Sequence, residues 1–152
     1  MGALGKDSTR VAEYILWLAG QSNNPVTPMQ LLKLVYICHG WMVGLYSRPL
    51  IKDQIEAWQY GPVIPGVYRQ YKAYGGSYIS ESPEKPTGFD SAEESIMQQV
   101  WKHYGKMSGL QLSSLTHQKR TPWDITWSMR GPGCVISNDL IEQHYKQLAA
   151  AK

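Results

Sequence analysis

Cys38 with His39 or His117 is the one set in this chain that resembles a nucleophile beside a base, the pairing that covalent catalysis requires. Neighbouring helical residues point about 100 degrees apart, so Cys38 and His39 cannot activate one another from one helix. His117 would have to fold over Cys38, and a lone cysteine in an apolar run is more simply a small buried hydrophobe. The histidines His39, His103, His117 and His144 lack the paired spacing of metal ligands. Gly105-Lys106 and Gly131-Pro132-Gly133 lack the strand-to-helix framing and the terminal Lys-Ser/Thr of a phosphate loop. Glu93-Glu94, and Glu81 with Glu84, fall in or beside a polar stretch, where like charges stay solvated. No catalytic residue, metal ligand or cofactor is assigned from these residues.

Aromatic side chains offer more. Six Trp and ten Tyr against one Phe favour rings with a polar handle, which suit places where one side is dry and the other meets a partner. Trp41, Trp101 and Tyr36 lie beside apolar helical positions and are expected in the core. The run Glu56 to Tyr68, EAWQYGPVIPGVY, is different. Ile55, Ala57 and Gln59 alternate with Glu56, Trp58 and Tyr60, which predicts a half-exposed strand that Gly61-Pro62 breaks. Pro65 then suits the first turn of a helix carrying Val67, Tyr68 and Tyr71. Trp58, Tyr60, Gly61, Pro62, Val63, Tyr68 and Arg69 form the candidate partner-binding surface, a braced turn rich in the residue types that dominate interfaces.

The elements that must hold this turn are mainly helical. Ser8 caps a first helix to Ala19, with Val11, Ile15 and Leu18 inward and Tyr14 and Trp17 at its edges. Thr27, Pro28 and Gln30 open a longer helix through a capping box, and Leu31, Leu34, Val35, Cys38, Met42 and Leu45 mark its buried face. Residues 75–90 read as an exposed loop with a brief strand at 77–80. Ser91 and Glu94 form a second capping-box pattern, leading a helix to Gly105. Helices follow over 108–116, from Thr121 to Trp127, and from a Ser137 cap, where Leu140, Ile141, Tyr145 and Leu148 face inward. The fold class expected is mainly α: a compact multi-helix single domain over residues 9–150 with a small β-strand or hairpin element, after a flexible N-terminus at residues 1–8.

Composition agrees. The length of 152 residues supports one core, and 43% apolar with 18% charged residues describes a globular chain. A formal charge of +3 with scattered basic residues lacks the concentrated stripe of a nucleic-acid binder, and only Lys119-Arg120 is a local pair. Cys38 and Cys134 form neither a disulfide framework nor a zinc motif, which points to a reducing, cytoplasmic setting. No apolar run approaches the ~20 residues of a membrane span. The N-terminus lacks the apolar stretch of a signal peptide.

Several short patterns occur in order: Thr27-Pro28-Met29-Gln30-Leu31-Leu32-Lys33-Leu34-Val35-Tyr36, Gly40-Trp41, Arg48-Pro49-Leu50, Glu56-Ala57-Trp58, Tyr60-Gly61-Pro62-Val63, Tyr68 and Tyr71-Lys72. Tyr104-Gly105, Ser108-Gly109, Leu112-Ser113, Leu115-Thr116-His117 and Pro122-Trp123 continue the series. This ordered set resembles the Panacea antitoxin domain, whose members are also described as SocA-like or phage-associated, and the resemblance runs from about Thr9 to Tyr145. It implies a non-enzymatic protein that binds a cognate protein toxin directly, or that acts as an adaptor delivering the toxin to a protease. The competing expectations are a mobile-element binding module acting on another host factor, and a small hydrolase with a pocket around His117, Tyr60 and Trp123. A homodimer through Tyr14 or Trp17 is a further expectation.

Overall fold

The computed structural model describes residues 5–151. These residues form seven α-helices and a three-stranded antiparallel sheet of order β2-β1-β3. The elements run α1 (Ser8–Gln21), α2 (Pro28–Tyr46), β1 (Ile55–Trp58), β2 (Gly61–Val63), α3 (Pro65–Tyr71), α4 (Ser91–Tyr104), α5 (Gly109–Thr116), α6 (Pro122–Arg130), β3 (Val135–Ile136) and α7 (Asn138–Ala150). The mainly helical single-domain class with a small β element is what the sequence predicts.

Helix α2 is the axis. The Thr27–Gln30 capping box forms, and Pro28 occupies the first turn where its missing N–H costs nothing. Every residue from Leu31 to Gly44 is buried, because α1, α4, α5, α7 and the β1–β2 hairpin enclose the helix. Such burial all round is the signature of a helix inside the core rather than on its surface. Leu45, expected inward, is instead exposed. Gly40 and Gly44 let α7 come close: a methyl on Gly40 would lie 2.5 Å from Tyr145 Cζ, and one on Gly44 would lie 2.6 Å from Tyr145 Cβ. Tyr145 is therefore inserted against the α2 backbone, with the Trp41 ring edge-on at 5.1 Å.

Several expectations are corrected. Ser8 is the first residue of α1 rather than its cap; the Asp53 carboxylate takes over, accepting from Ser8 N at 2.9 Å and Ser8 Oγ at 2.7 Å. Tyr14 is fully buried, donating to Glu94 Oε1 at 2.7 Å, so it cannot lie on a dimer face. Helix α4 is capped one residue early, by Asp90 and Glu93, and Glu93 is fully buried rather than solvated. Lys6 Nζ pairs with Glu93 at 2.9 Å and Arg48 with Asp90 at 2.8 Å. Of residues 1–8, the first four lie outside the described residues, while Lys6 is bridged to Ile51 and Ser8 is buried. Residues 77–80 form no strand, although Ile79 N donates to Val26 O at 2.8 Å. Leu148, expected inward, is exposed, leaving Ile141 and Tyr145 as the buried residues of α7.

Candidate functional site

Gly61-Pro62 does not end the strand but begins its partner. Trp58 pairs with Gly61, Ala57 with Pro62 and Glu56 with Val63, so Gln59-Tyr60 is a two-residue hairpin loop. Gly61 adopts φ 122°, a conformation open to glycine and costly for other residues. The burial of β1 alternates as expected, with Ile55 and Ala57 inside and Glu56 and Trp58 half-buried.

Three side chains from three helices hold this loop by its carbonyls. Lys33 Nζ of α2 donates to Pro62 O at 3.0 Å. Ser113 Oγ of α5 donates to Tyr60 O at 2.7 Å, and Trp123 Nε1 of α6 donates to Trp58 O at 2.6 Å. Beneath β1, Ala57 exchanges backbone bonds with the segment leading into β3, its N–H to Cys134 O at 2.9 Å and its O to Gly133 N at 2.8 Å. Lys33 is only 2% exposed, and burial pulls its ammonium down to about 8 from an ordinary 10.5. No ion pair reaches Lys33 among the described residues.

Gly61, Pro62 and Val63 face inward, and their part is to set the turn. Tyr60, Tyr68 and Arg69 are exposed beside the half-buried Trp58, Tyr60 at 65%. The Trp58 and Tyr68 rings meet edge to face at 5.0 Å, an arrangement worth about 0.5–1.5 kcal/mol beyond area burial. Trp58 Nε1 donates to Glu56 Oε1 at 2.9 Å, which settles the indole's polar atom within the same strand. The outcome is a fixed Trp58–Tyr68 aromatic pair, with Tyr60 and Arg69 exposed on the same hairpin and helix. Lys33, Ser113 and Glu56 were absent from the sequence-derived site, although each lies within the ordered motifs; their roles depend on contacts between segments or on a polar pair inside one strand, which the motifs do not describe.

The residues that suggested nucleophilic chemistry are set apart. Cys38 is fully buried in α2, and burial pushes its thiol well above the ordinary range. His39 Nδ1 accepts from the backbone N–H groups of Leu50 and Ile51, both at 3.3 Å, which leaves Nε2 to donate to Asn138 Oδ1 at 2.9 Å. Burial keeps this imidazole neutral, and it ties α2 to α7 and the following link. His117 ends α5, contacting Ser113 O through Nδ1 and packing edge-on to Trp123 at 5.3 Å. With Tyr60 turned to solvent, His117, Tyr60 and Trp123 do not enclose a water-excluded pocket. Among the described residues no three of His, Cys, Asp and Glu converge as metal ligands, and no helix is long and apolar enough to cross a membrane.

Comparison with known proteins agrees with the ordered motifs. Residues 31–124 match the family described as Antitoxin SocA-like, Panacea domain. The chain is also 33% identical over 139 residues to Antitoxin SocA of Caulobacter vibrioides (strain NA1000 / CB15N), covering 84% of this chain and 72% of the relative. No solved structure gives a significant match.

Proposed function

Because this chain belongs to the SocA-like antitoxin family that carries the Panacea domain, we propose that it neutralises a cognate protein toxin by binding it directly through the braced hairpin and the start of α3. Trp58, Tyr60, Tyr68 and Arg69 form the contact surface, and Gly61, Pro62 and Val63 hold it. The observation that carries the reading is the set of three side-chain donors, from α2, α5 and α6, that fix an otherwise exposed aromatic loop. A loop already in its binding shape loses little freedom on association, so more of the contact energy appears as affinity. Occlusion is the mechanism, and no bond is made or broken by this chain.

The partner is sought first in the product of the adjoining open reading frame, expressed alone and together with this chain. Toxicity relieved by co-expression supports the reading; a harmless neighbour removes it. The double variant Trp58→Ala with Arg69→Ala is expected to lose about 2–4 kcal/mol of affinity, the range of interface hot spots, with its helical circular dichroism unchanged. Full neutralisation by that variant would put the contact elsewhere. Inhibition of the purified toxin by the purified chain distinguishes occlusion from delivery to a protease, since occlusion needs no third protein.

A further inference from the structure

Outside the buried Lys33, the cations of the described residues fall into two groups. Lys6, Arg10, Arg48, Lys52, Lys85 and Lys146 each lie within ion-pair distance of a carboxylate. Arg69, Lys72, Lys119 and Arg120 are exposed, and among the described residues none of them has such a partner. Lys102, Lys106 and Arg130 are likewise unpaired, and from Ser95 to Ser137 the single carboxylate is that of Asp124.

The first four belong to the segments that touch Trp58. On α3, Tyr68 packs against the Trp58 ring at 5.0 Å, and the Lys72 N–H donates to Tyr68 O. That bond carries the helical turn onward and sets Lys72 beside Arg69, three residues earlier on the same face. Ahead of α6, Lys119-Arg120 lead into the turn whose Trp123 donates Nε1 to Trp58 O at 2.6 Å. The carboxylates on β1 and α6 are already engaged by uncharged donors: Glu56 accepts from Trp58 Nε1 at 2.9 Å, and Asp124 from the Arg120 backbone N–H at 2.8 Å and Ser128 Oγ at 3.4 Å. Like charges held as neighbours repel, and here no carboxylate of the chain comes between them.

We propose, on the reading that this surface takes up the toxin, that the segment it takes up is acidic and amphipathic: an apolar anchor set on the Trp58–Tyr68 pair, flanked by Asp or Glu that meet Arg69 and Lys72 of α3 and Lys119 and Arg120 before α6.

The aromatic pair supplies the apolar contact, since its indole N–H is spent within β1. Exposed charges around such a contact steer encounter and select the partner more than they add affinity, so their effect is greatest in low salt. A nucleic acid fits less well, because phosphates bring charge without interruption, whereas Glu56 and Asp124 lie on the same elements as the ring contacts.

The probe is a peptide capped at both ends, Asp-Glu-Leu-Phe-Leu-Glu-Asp, with Lys-Lys-Leu-Phe-Leu-Lys-Lys as its charge-reversed counterpart, each titrated calorimetrically into the intact protein. The acidic peptide is expected to bind saturably and one to one, and the basic peptide not to bind. Raising the salt from about 50 to about 500 mM should weaken the acidic peptide about tenfold. Arg69→Gln with Lys72→Gln, and Lys119→Gln with Arg120→Gln, should each weaken it about three- to tenfold. Lys52→Gln with Lys146→Gln removes the same charge from exposed cations on other segments and should change binding less than about twofold. Absence of saturable binding by the acidic peptide, equal binding by the basic one, or an equal loss in the Lys52, Lys146 variant overturns the proposal. An oligothymidylate of similar length that binds more tightly than the acidic peptide in the same salt would mark a nucleic-acid surface and would equally overturn it. Toxin binding itself is judged separately, by neutralisation: an indifferent peptide leaves that reading in place, and full neutralisation by Trp58→Ala with Arg69→Ala removes it whatever the peptide does.

Discussion

Lys33 holds the hairpin from below, and its buried ammonium sets a pH dependence that can be read directly. The folded chain releases this proton near pH 8, whereas the unfolded chain keeps it to about 10.5. Below pH 8 both states are charged, and the folded state carries the full cost of desolvation. Between the two values the unfolded state binds more protons, so stability rises with pH through that window. Relative to Lys33→Met, the parent is expected to gain on the order of 2 kcal/mol between pH 7 and pH 9.5. Urea unfolding at both pH values checks this; parallel behaviour of the two proteins would mean that Lys33 keeps its proton when folded as firmly as when unfolded, and that burial does not lower its pKa. Lys33→Met should also weaken partner binding through loss of the bond to Pro62 O, although Lys33 lies beyond any partner's reach. None of this is legible in sequence, where Lys33 between Leu32 and Leu34 reads as one more dispersed basic residue. Its burial is imposed by a strand docking 29 residues later.

At the scale of elements, the α2–α7 contact depends on two missing side chains. Alanine at Gly40 would gain helix propensity of about 1 kcal/mol, but its methyl would strike the Tyr145 ring, which is held by Tyr36 and Trp41 and has little room to retreat. Gly40→Ala should therefore lower stability by a net ~1–3 kcal/mol in chemical denaturation, as overpacked cores do. Gly76→Ala is the control, since nothing lies within 4 Å of its methyl position, and it should be neutral. Equal behaviour of the two variants would refute close α2–α7 packing. Periodicity was enough to place α2 and one face of it, Leu31, Leu34, Val35, Cys38 and Met42, and the Thr27–Gln30 box located its start, but the burial of the other faces was not legible. It was not enough for α4, where Asp90–Glu93 and Ser91–Glu94 offer two boxes one residue apart. Lys6 and Arg48 decide between them by converging on Glu93, and sequence neighbours carry no trace of those contacts. Strand β3 is too short, at two residues, to show any alternation, so its pairing with Ile55 and Glu56 emerges only in three dimensions.

For the molecule as a whole, direct toxin binding through the hairpin requires a rigid body that presents a finished surface. A central helix buried on all sides, with the hairpin fastened to it and to α5 and α6, is such a body. Local opening follows local contact density, so the free energy of opening should differ sharply between this block and residues 75–90. In hydrogen exchange on the free protein, amides of α2 from Leu34 onward should be the slowest. The Ala57 amide, bonded to Cys134 O at 2.9 Å and fully buried, should approach them. Within the polar loop, the Ile79 amide should stand out as protected among fast neighbours, since it is bonded to Val26 O at 2.8 Å. Partner binding should then slow exchange at the covered amides around Trp58 to Arg69 without protecting α2 further, because nothing in the scaffold is left to order. If the Ala57 amide of the free protein exchanges as fast as the loop, the hairpin is assembled only on contact. The ordering cost of that assembly would reduce the affinity available to the same four side chains.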